Sequence, residues 1–304
     1  MTSFAGTEPG STGMVVGVDV GGTQMRAGVI DAAGTVVERV AMATADAVDG
    51  TAAVAQLVAA LAAPDEAPVV IGLPGRVDYH GGALETGFNL PSGWVAEFRC
   101  DRLEHHLQRP VHLANDADMA AVGETWFGAA RGHDDVLYVT ISTGIGAGLV
   151  LGRRLVAGRR SSAEVGQTVI DADGTMGDGS KTVETLGSGT ALGRAASAQG
   201  LPTGSALVQR IRAGDTGAVQ VWTDAIGAAA VGIANMCWIA APTAVVVGGG
   251  MGRNGDLVLG PVRDAIATVG PTDLADRMDV VEAALGDDAG LAGAAAWLEA
   301  RGLG

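Results

Sequence analysis

Residues 16–31 read VGVDVGGTQMRAGVID, and this stretch decides the fold. β-Branched runs stand on both sides of a Gly-Gly-Thr turn, the pattern of two strands joined tightly and antiparallel. The text continues through AAG (32–34) into TVVERVAM (35–42), so a third strand completes a meander. Inside the first turn Asp19 brings a carboxylate and Thr23 a hydroxyl, while Gly21 and Gly22 leave the backbone bare. Such a turn can approach phosphate oxygens, with Asp19 holding Mg²⁺ through water, because Mg²⁺ keeps much of its hydration shell. Taken alone, it is equally a plain hairpin turn.

Further along, DVLYVTIS (135–142), TGIGAG (143–148) and LVLGRRLVAG (149–158) repeat the grammar of strand, glycine turn and strand. The repetition points to an internal duplication. Thr143, Gly144 and Gly146 are then a second candidate phosphate clasp. A dinucleotide-binding GxGxxG would open a helix, whereas Leu149–Leu151 read as strand, and no GxxxxGK[ST] occurs. A third turn, in AVVVGGGMG (244–252), ends an apolar strand in Gly248, Gly249 and Gly250, a bare edge fit to lie along an adenine or ribose.

Between these landmarks, Thr51–Ala63 reads as a helix ended by Pro64, Pro68–Leu73 as a strand, and PGRVD (74–78) as a loop. A Gly/Asn/Pro-rich stretch (81–94) precedes a helix over Val95–Gln108 and a strand over Val111–Ala114. That strand runs into NDADMAAVGE (115–124), with Asp116 where a helix begins. Residues 190–241 are helix-rich, Thr243–Val247 is a strand, and Leu291–Ala300 reads as an amphipathic helix.

The chain has 304 residues, room for two domains at roughly 150 residues each. We expect a disordered tail at 1–13, an α/β domain at 14–115 rejoined by a C-terminal helix at 288–304, and a larger α/β domain at 116–287. With 34 acidic against 19 basic residues the net charge is −15, which repels nucleic acid and anionic membranes. Phosphates can still be held locally by backbone N–H groups and Mg²⁺. Two cysteines, Cys100 and Cys237, make no disulfide framework and suit a reducing cytosol. Residues 1–13 show no basic start or apolar core of signal type, so a cytoplasmic location is expected. The apolar run 225–241 is mostly Ala and Gly, carries Asn235 and stops at Pro242, which reads as a core helix rather than a membrane span.

In order along the chain, VGVDVGGTQMRAGVID, GLPGRVD (72–78), FNLPSGW (88–94), NDADMAAVGE, YVTISTGIGAGLVLG (138–152), AEVGQ (163–167) and VVVGGG (245–250) resemble the ROK family of repressors, open reading frames and sugar kinases. The resemblance implies two RNase H-like domains of the actin-like ATPase type flanking a nucleotide and sugar cleft, with ATP between the glycine hairpins. It implies that Asp116 takes the proton from a sugar hydroxyl and that Asn115 hydrogen-bonds neighbouring hydroxyls. Gly75, Asn89, Glu164, Gln167 and Glu184 fall on positions that look like sugar contacts. A homodimer is the family-level expectation. General-base help of ~10²–10⁴-fold suits a hydroxyl, a poor nucleophile.

Many relatives hold zinc with a His after E-x-G and three Cys. Here Gln167 stands for the His, and Thr175, Gly177 and Thr182 for the thiols, so no zinc is expected. The same change leaves the sugar open: glucose, kanosamine, mannose, fructose or N-acetylmannosamine. Arg153, Arg154, Arg159 and Arg160 read as a solvated hairpin face, and Trp94 either stacks on a sugar or anchors a loop. Two rivals to a kinase are a sugar-responsive repressor and a sugar-binding protein without catalysis. Only about a dozen residues precede Met14, too few for a helix-turn-helix.

Overall fold

The computed structural model describes residues 13–171 and 181–303. Most of the expected tail, together with Thr175 and Gly177, lies outside them. Two five-stranded sheets form the frame. The first uses β1 (Val15–Val20), β2 (Gln24–Ile30), β3 (Val36–Ala43), β4 (Val69–Leu73) and, after a short hairpin β5 (Gly75–Asp78) and β6 (Ala83–Gly87), β7 (Val111–Asn115). The second uses β8 (Val136–Ile141), β9 (Ile145–Leu151), β10 (Arg154–Leu155), β11 (Ala244–Gly248) and β12 (Asp279–Glu282). Their orders, β3-β2-β1-β4-β7 and β10-β9-β8-β11-β12, are the same topology written twice. The repeated strand-turn-strand text is thus a repeated sheet.

Burial follows each strand's place. β4 and β11 are buried at every residue, as continuous apolar runs in a sheet covered on both faces must be. β3, at the edge, alternates between half-buried and exposed. In β1 and β8 the two faces feed different cores. Val16, Val18, Leu137 and Val139 face outer helices, whereas Val15, Val136 and Tyr138 face a core shared by both sheets.

That shared core is built on two helices, Asp116–Trp126 and Ala289–Arg301. They cross so closely that a Cβ on Gly123 would fall 2.1 Å from the Ala289 carbonyl oxygen, and one on Gly293 1.9 Å from that of Met119. Only glycine at both positions permits this approach. The last helix is therefore not amphipathic as expected: Leu291, Ala292, Ala294, Ala296 and Trp297 are all buried, because neighbours cover it on more than one side.

Two other expectations need correcting. PGRVD is not a loop, since Gly75–Asp78 pairs with Ala83–Gly87 as an antiparallel hairpin. The helix expected over Val95–Gln108 is broken: Trp94–Glu97 forms a 3₁₀ turn and the α-helix starts at Cys100. Phe98 is wholly buried, and its carbonyl accepts the Leu84 N–H at 2.9 Å, so this residue leaves the helix to pair with β6. The apolar run lies in a 25-residue helix, Thr216–Ala240, long and apolar enough to cross a membrane. Here its Val221, Trp222, Ile226 and Ile233 pack into the outer core of the second sheet.

Candidate active site

β1, β4 and β7 run parallel in one sheet, and β8, β11 and β12 in the other. The glycine turns and Asp116 follow the carboxyl ends of these strands, the edge where open α/β sheets take ligands. A cleft of about 590 Å³ opens there. It gathers Gly75, Asn89, Asn115, Asp116, Glu164, Gln167 and Glu184 with Thr143, Gly144 and Gly146. A second cavity of about 470 Å³ shares Ser142, Thr143 and Thr190 with the first and takes Gly250 from the third turn. Its walls include Leu192, Leu207, Trp222 and Met251.

Asp116 is the first residue of its helix, but Asn115 is the cap. Asn115 Oδ1 accepts the N–H groups of Ala117 and Asp118 at 3.0 and 3.1 Å. Capping by the preceding residue frees Asp116, whose Oδ1 accepts its neighbour's N–H at 2.9 Å. Asn115 Nδ2 donates to the Gly75 carbonyl at 3.0 Å, so most of this amide is spent within the protein. Asp116 is half-buried and lines the cleft. Desolvation, then the negative charge of Asp19, push its carboxyl up to about 7.

The Asp19–Thr23 turn sits beside the cleft. A Cβ on Gly22 would fall 2.4 Å from the Asn89 carbonyl oxygen, so the first glycine turn rests directly on a cleft residue. Asn89 itself is left-handed, at φ 57°. Thr44 fastens the turn, donating its hydroxyl to the Gly21 carbonyl at 2.7 Å and its N–H to that of Thr23 at 2.9 Å. Arg26 pairs with one oxygen of Asp19 at 2.5 Å. Two carboxylates near enough for one to raise the other suit a hydrated Mg²⁺, which a single carboxylate and substrate phosphates can hold.

The remaining acids of the cleft are held by neutral donors or by burial. Glu184 accepts the Ile145 N–H at 2.8 Å and the Gln167 amide at 3.4 Å. Glu164 is raised by burial, against the pull of Arg76. Of the residues standing for zinc ligands, the two that are described, Gln167 and Thr182, have other partners. The Gln167 amide is turned to Glu184, and the Thr182 hydroxyl caps a helix by accepting the Thr185 N–H at 3.2 Å. Among the described residues no group of three or more His, Cys, Asp or Glu could hold a metal ion.

Gly248 and Gly249 serve packing: a Cβ on Gly248 would fall 2.7 Å from the Tyr138 hydroxyl, and one on Gly249 2.5 Å from the Ile141 carbonyl. Trp94 is buried against Phe98, and the aromatic ring at the cleft is that of Phe88. Arg154, Arg159 and Arg160 are exposed, as expected, and Arg153 is half-buried, but all four also have partners within the protein. Arg159 and Arg160 pair with Asp78 and Glu85 on the β5–β6 hairpin, Arg153 stacks on Trp126, and Arg154 reaches the Glu299 carbonyl. Sequence reasoning also missed Phe88 and Arg194, both lining the cleft, and the partners of Asp118. The second Asp of NDAD was the one signal available.

The ROK family model matches residues 15–301. The chain belongs to the ROK family. It is 31% identical to a glucokinase of Thermotoga maritima, over 94% of this chain and 98% of that one. An N-acetylmannosamine kinase of Yersinia pseudotuberculosis is 30% identical, with 95% and 99% covered. The crystal structure of a ROK family glucokinase from Streptomyces griseus, in complex with glucose and AMPPNP, superposes with a TM-score of 0.76 at 32% identity, covering 93% of this chain and 98% of that one. This ROK protein has the two-domain actin-like ATPase fold and is an ATP-dependent phosphotransferase of hexokinase type.

Proposed function

We propose that this ROK kinase moves the γ-phosphoryl group of ATP onto the 6-hydroxyl of a hexose, glucose or an amino-hexose such as kanosamine, with Asp116 as general base. The observation that carries this is a carboxyl pushed up to about 7, lining a cleft that also holds Asn89, Glu164 and Glu184. A base poised near the working pH abstracts a proton best, and a hydroxyl needs that help as the phosphoryl group arrives.

Sugar hydroxyls would meet Asn89, Glu164, Gln167 and Glu184, with the Gly75 turn as backing. Adenine would lie in the apolar second cavity, and the phosphates would run past Thr143 and Gly144 toward Asp116. The shared Ser142, Thr143 and Thr190 join the two cavities and support that path. Bound Mg²⁺ would neutralise phosphate charge, with Asp19 holding it through water. The 115/116 boundary and a cytoplasmic location complete the proposal: two units closing on the cleft would exclude water from the transfer.

The test is Mg-ATP with a panel of hexoses and amino-hexoses, N-acetylmannosamine included, comparing wild type with Asp116→Asn. ADP release and a 6-phosphosugar that both vanish in the variant are expected. Sugar binding without turnover on any acceptor would instead make the chain a non-catalytic sugar-binding protein.

A further inference from the structure

Asp118 lies two residues beyond the proposed base, is 0% exposed, and no step above uses it. Hydroxyls from two distant segments take both of its oxygens. Tyr79 Oη donates to Oδ2 at 2.6 Å and Ser161 Oγ to Oδ1 at 3.0 Å. Tyr79 follows β5, the strand that opens with the cleft residue Gly75. Ser161 lies in the segment that leads to Glu164 and Gln167, also in the cleft.

The bonds close into a ring. Tyr79 Oη accepts the Asn115 N–H at 3.1 Å, Asn115 Oδ1 accepts the Asp118 N–H at 3.1 Å, and Asn115 Nδ2 donates to the Gly75 carbonyl at 3.0 Å. Neighbouring contacts reinforce the junction. The Tyr79 N–H donates to the Arg159 carbonyl at 2.8 Å, and the Arg159 side chain pairs with Asp78 at 2.6 Å. Arg301, from the last helix, stacks 4.3 Å above the Tyr79 ring.

We propose that Asp118 is a positioning residue for the acceptor sugar: its carboxylate clips the segment carrying Glu164 and Gln167 to the hairpin carrying Gly75. This rests on the reading of the cleft as a sugar site. O–H donors to a buried carboxylate make strong, short hydrogen bonds, so one side chain can fix two segments. Burial pushes Asp118 up to about 7 while the two hydroxyls pull it down, so the ring holds most firmly when the carboxylate is charged. Replacing it by Asn turns an N–H₂ toward one hydroxyl, which then loses its acceptor. The ring contains none of the residues lining the apolar second cavity.

Asp118→Asn, Ser161→Ala and wild type are compared for sugar KM, ATP KM and kcat, with thermal melts as a folding check. Sugar binding by calorimetry gives the same comparison without turnover. About a tenfold or larger rise in sugar KM and dissociation constant is expected, with ATP KM within about twofold, because a displaced pocket wall weakens only what it touches. Asp118→Glu, which restores charge at a different reach, should recover less than half of the loss. Sugar and ATP constants moving together, or neither moving, overturns the clip. Should Asp118→Asn not fold, Ser161→Ala decides by the same criterion. Wild type that binds no hexose overturns the sugar-site reading itself, whereas active wild type with unchanged variants overturns only the clip.

Discussion

Replacing Asp116 by Asn should stabilise the protein while silencing it, and pH separates the two effects. Its carboxyl is pushed from 3.8 to about 7 in the folded chain, by desolvation and then by Asp19. A raised carboxyl favours folding only while protonated. Below pH 3.8 the group costs nothing, between 3.8 and about 7 the folded state loses stability as pH rises, and above that the cost is constant. About three pH units at ~1.36 kcal/mol each set a ceiling of ~4 kcal/mol. Asp116 is half-buried and open to the cleft, so solvent screening brings the expected gain to ~1–3 kcal/mol at pH 8.5. Asn keeps the acceptor for the Ala117 N–H, so the swap removes charge and little else. Urea unfolding of both proteins at pH 4, 5, 6, 7 and 8.5 reads the difference directly. It should grow from near zero at pH 4 and level off above 7, while phosphotransfer by the variant falls ~10²–10⁴-fold. A difference that stays flat across this window would refute the reasoning, because a solvated carboxylate shows no such slope.

Glu124→Ala should cost ~3–9 kcal/mol in urea unfolding, since its buried carboxylate accepts the N–H groups of Ala129, Leu285 and Ala284 at 2.8, 2.8 and 3.1 Å, and each orphaned donor costs ~1–3 kcal/mol. A loss under ~1 kcal/mol would mean that water replaces the carboxylate. Gly22→Val should push the Asn89 segment out of place and raise sugar KM about tenfold or more without unfolding the chain, as steady-state kinetics and circular dichroism would show. Metal analysis of purified protein should find well under one zinc per chain, and EDTA followed by Mg²⁺ should restore full activity. Stoichiometric zinc would overturn the exclusion based on Gln167 and Thr182.

Much of this was legible because strand and turn chemistry are local. Val15–Val20 and Ala244–Gly248 are apolar runs ended by glycines, and such text specifies a covered strand and its exit whatever surrounds it. What stayed hidden depends on partners far away in sequence. Phe98 breaks a helix because β6 needs its carbonyl, 14 residues back at Leu84. Arg159 and Arg160 are exposed as expected, but their ion partners were hidden because Asp78 and Glu85 lie more than seventy positions earlier. Nothing in a single sequence pairs those charges.

The cleft shows the same division. The place of Asp116 at a helix start was readable from the residues around it, yet its uncapped carboxyl depends on Asn115 taking the cap, and its raised pKa on burial and on Asp19 from β1. In both sheets a central strand, β1 or β8, ends in a glycine turn, so the duplication puts two bare backbone edges beside one helix start. The helix pair crossing at Gly123 and Gly293 packs into the core shared by both sheets, and so sets how far apart those edges stand. The closest approach of these two helices is thereby fixed by two missing side chains, about seven residues or less from the helix starts at Asp116 and Ala289.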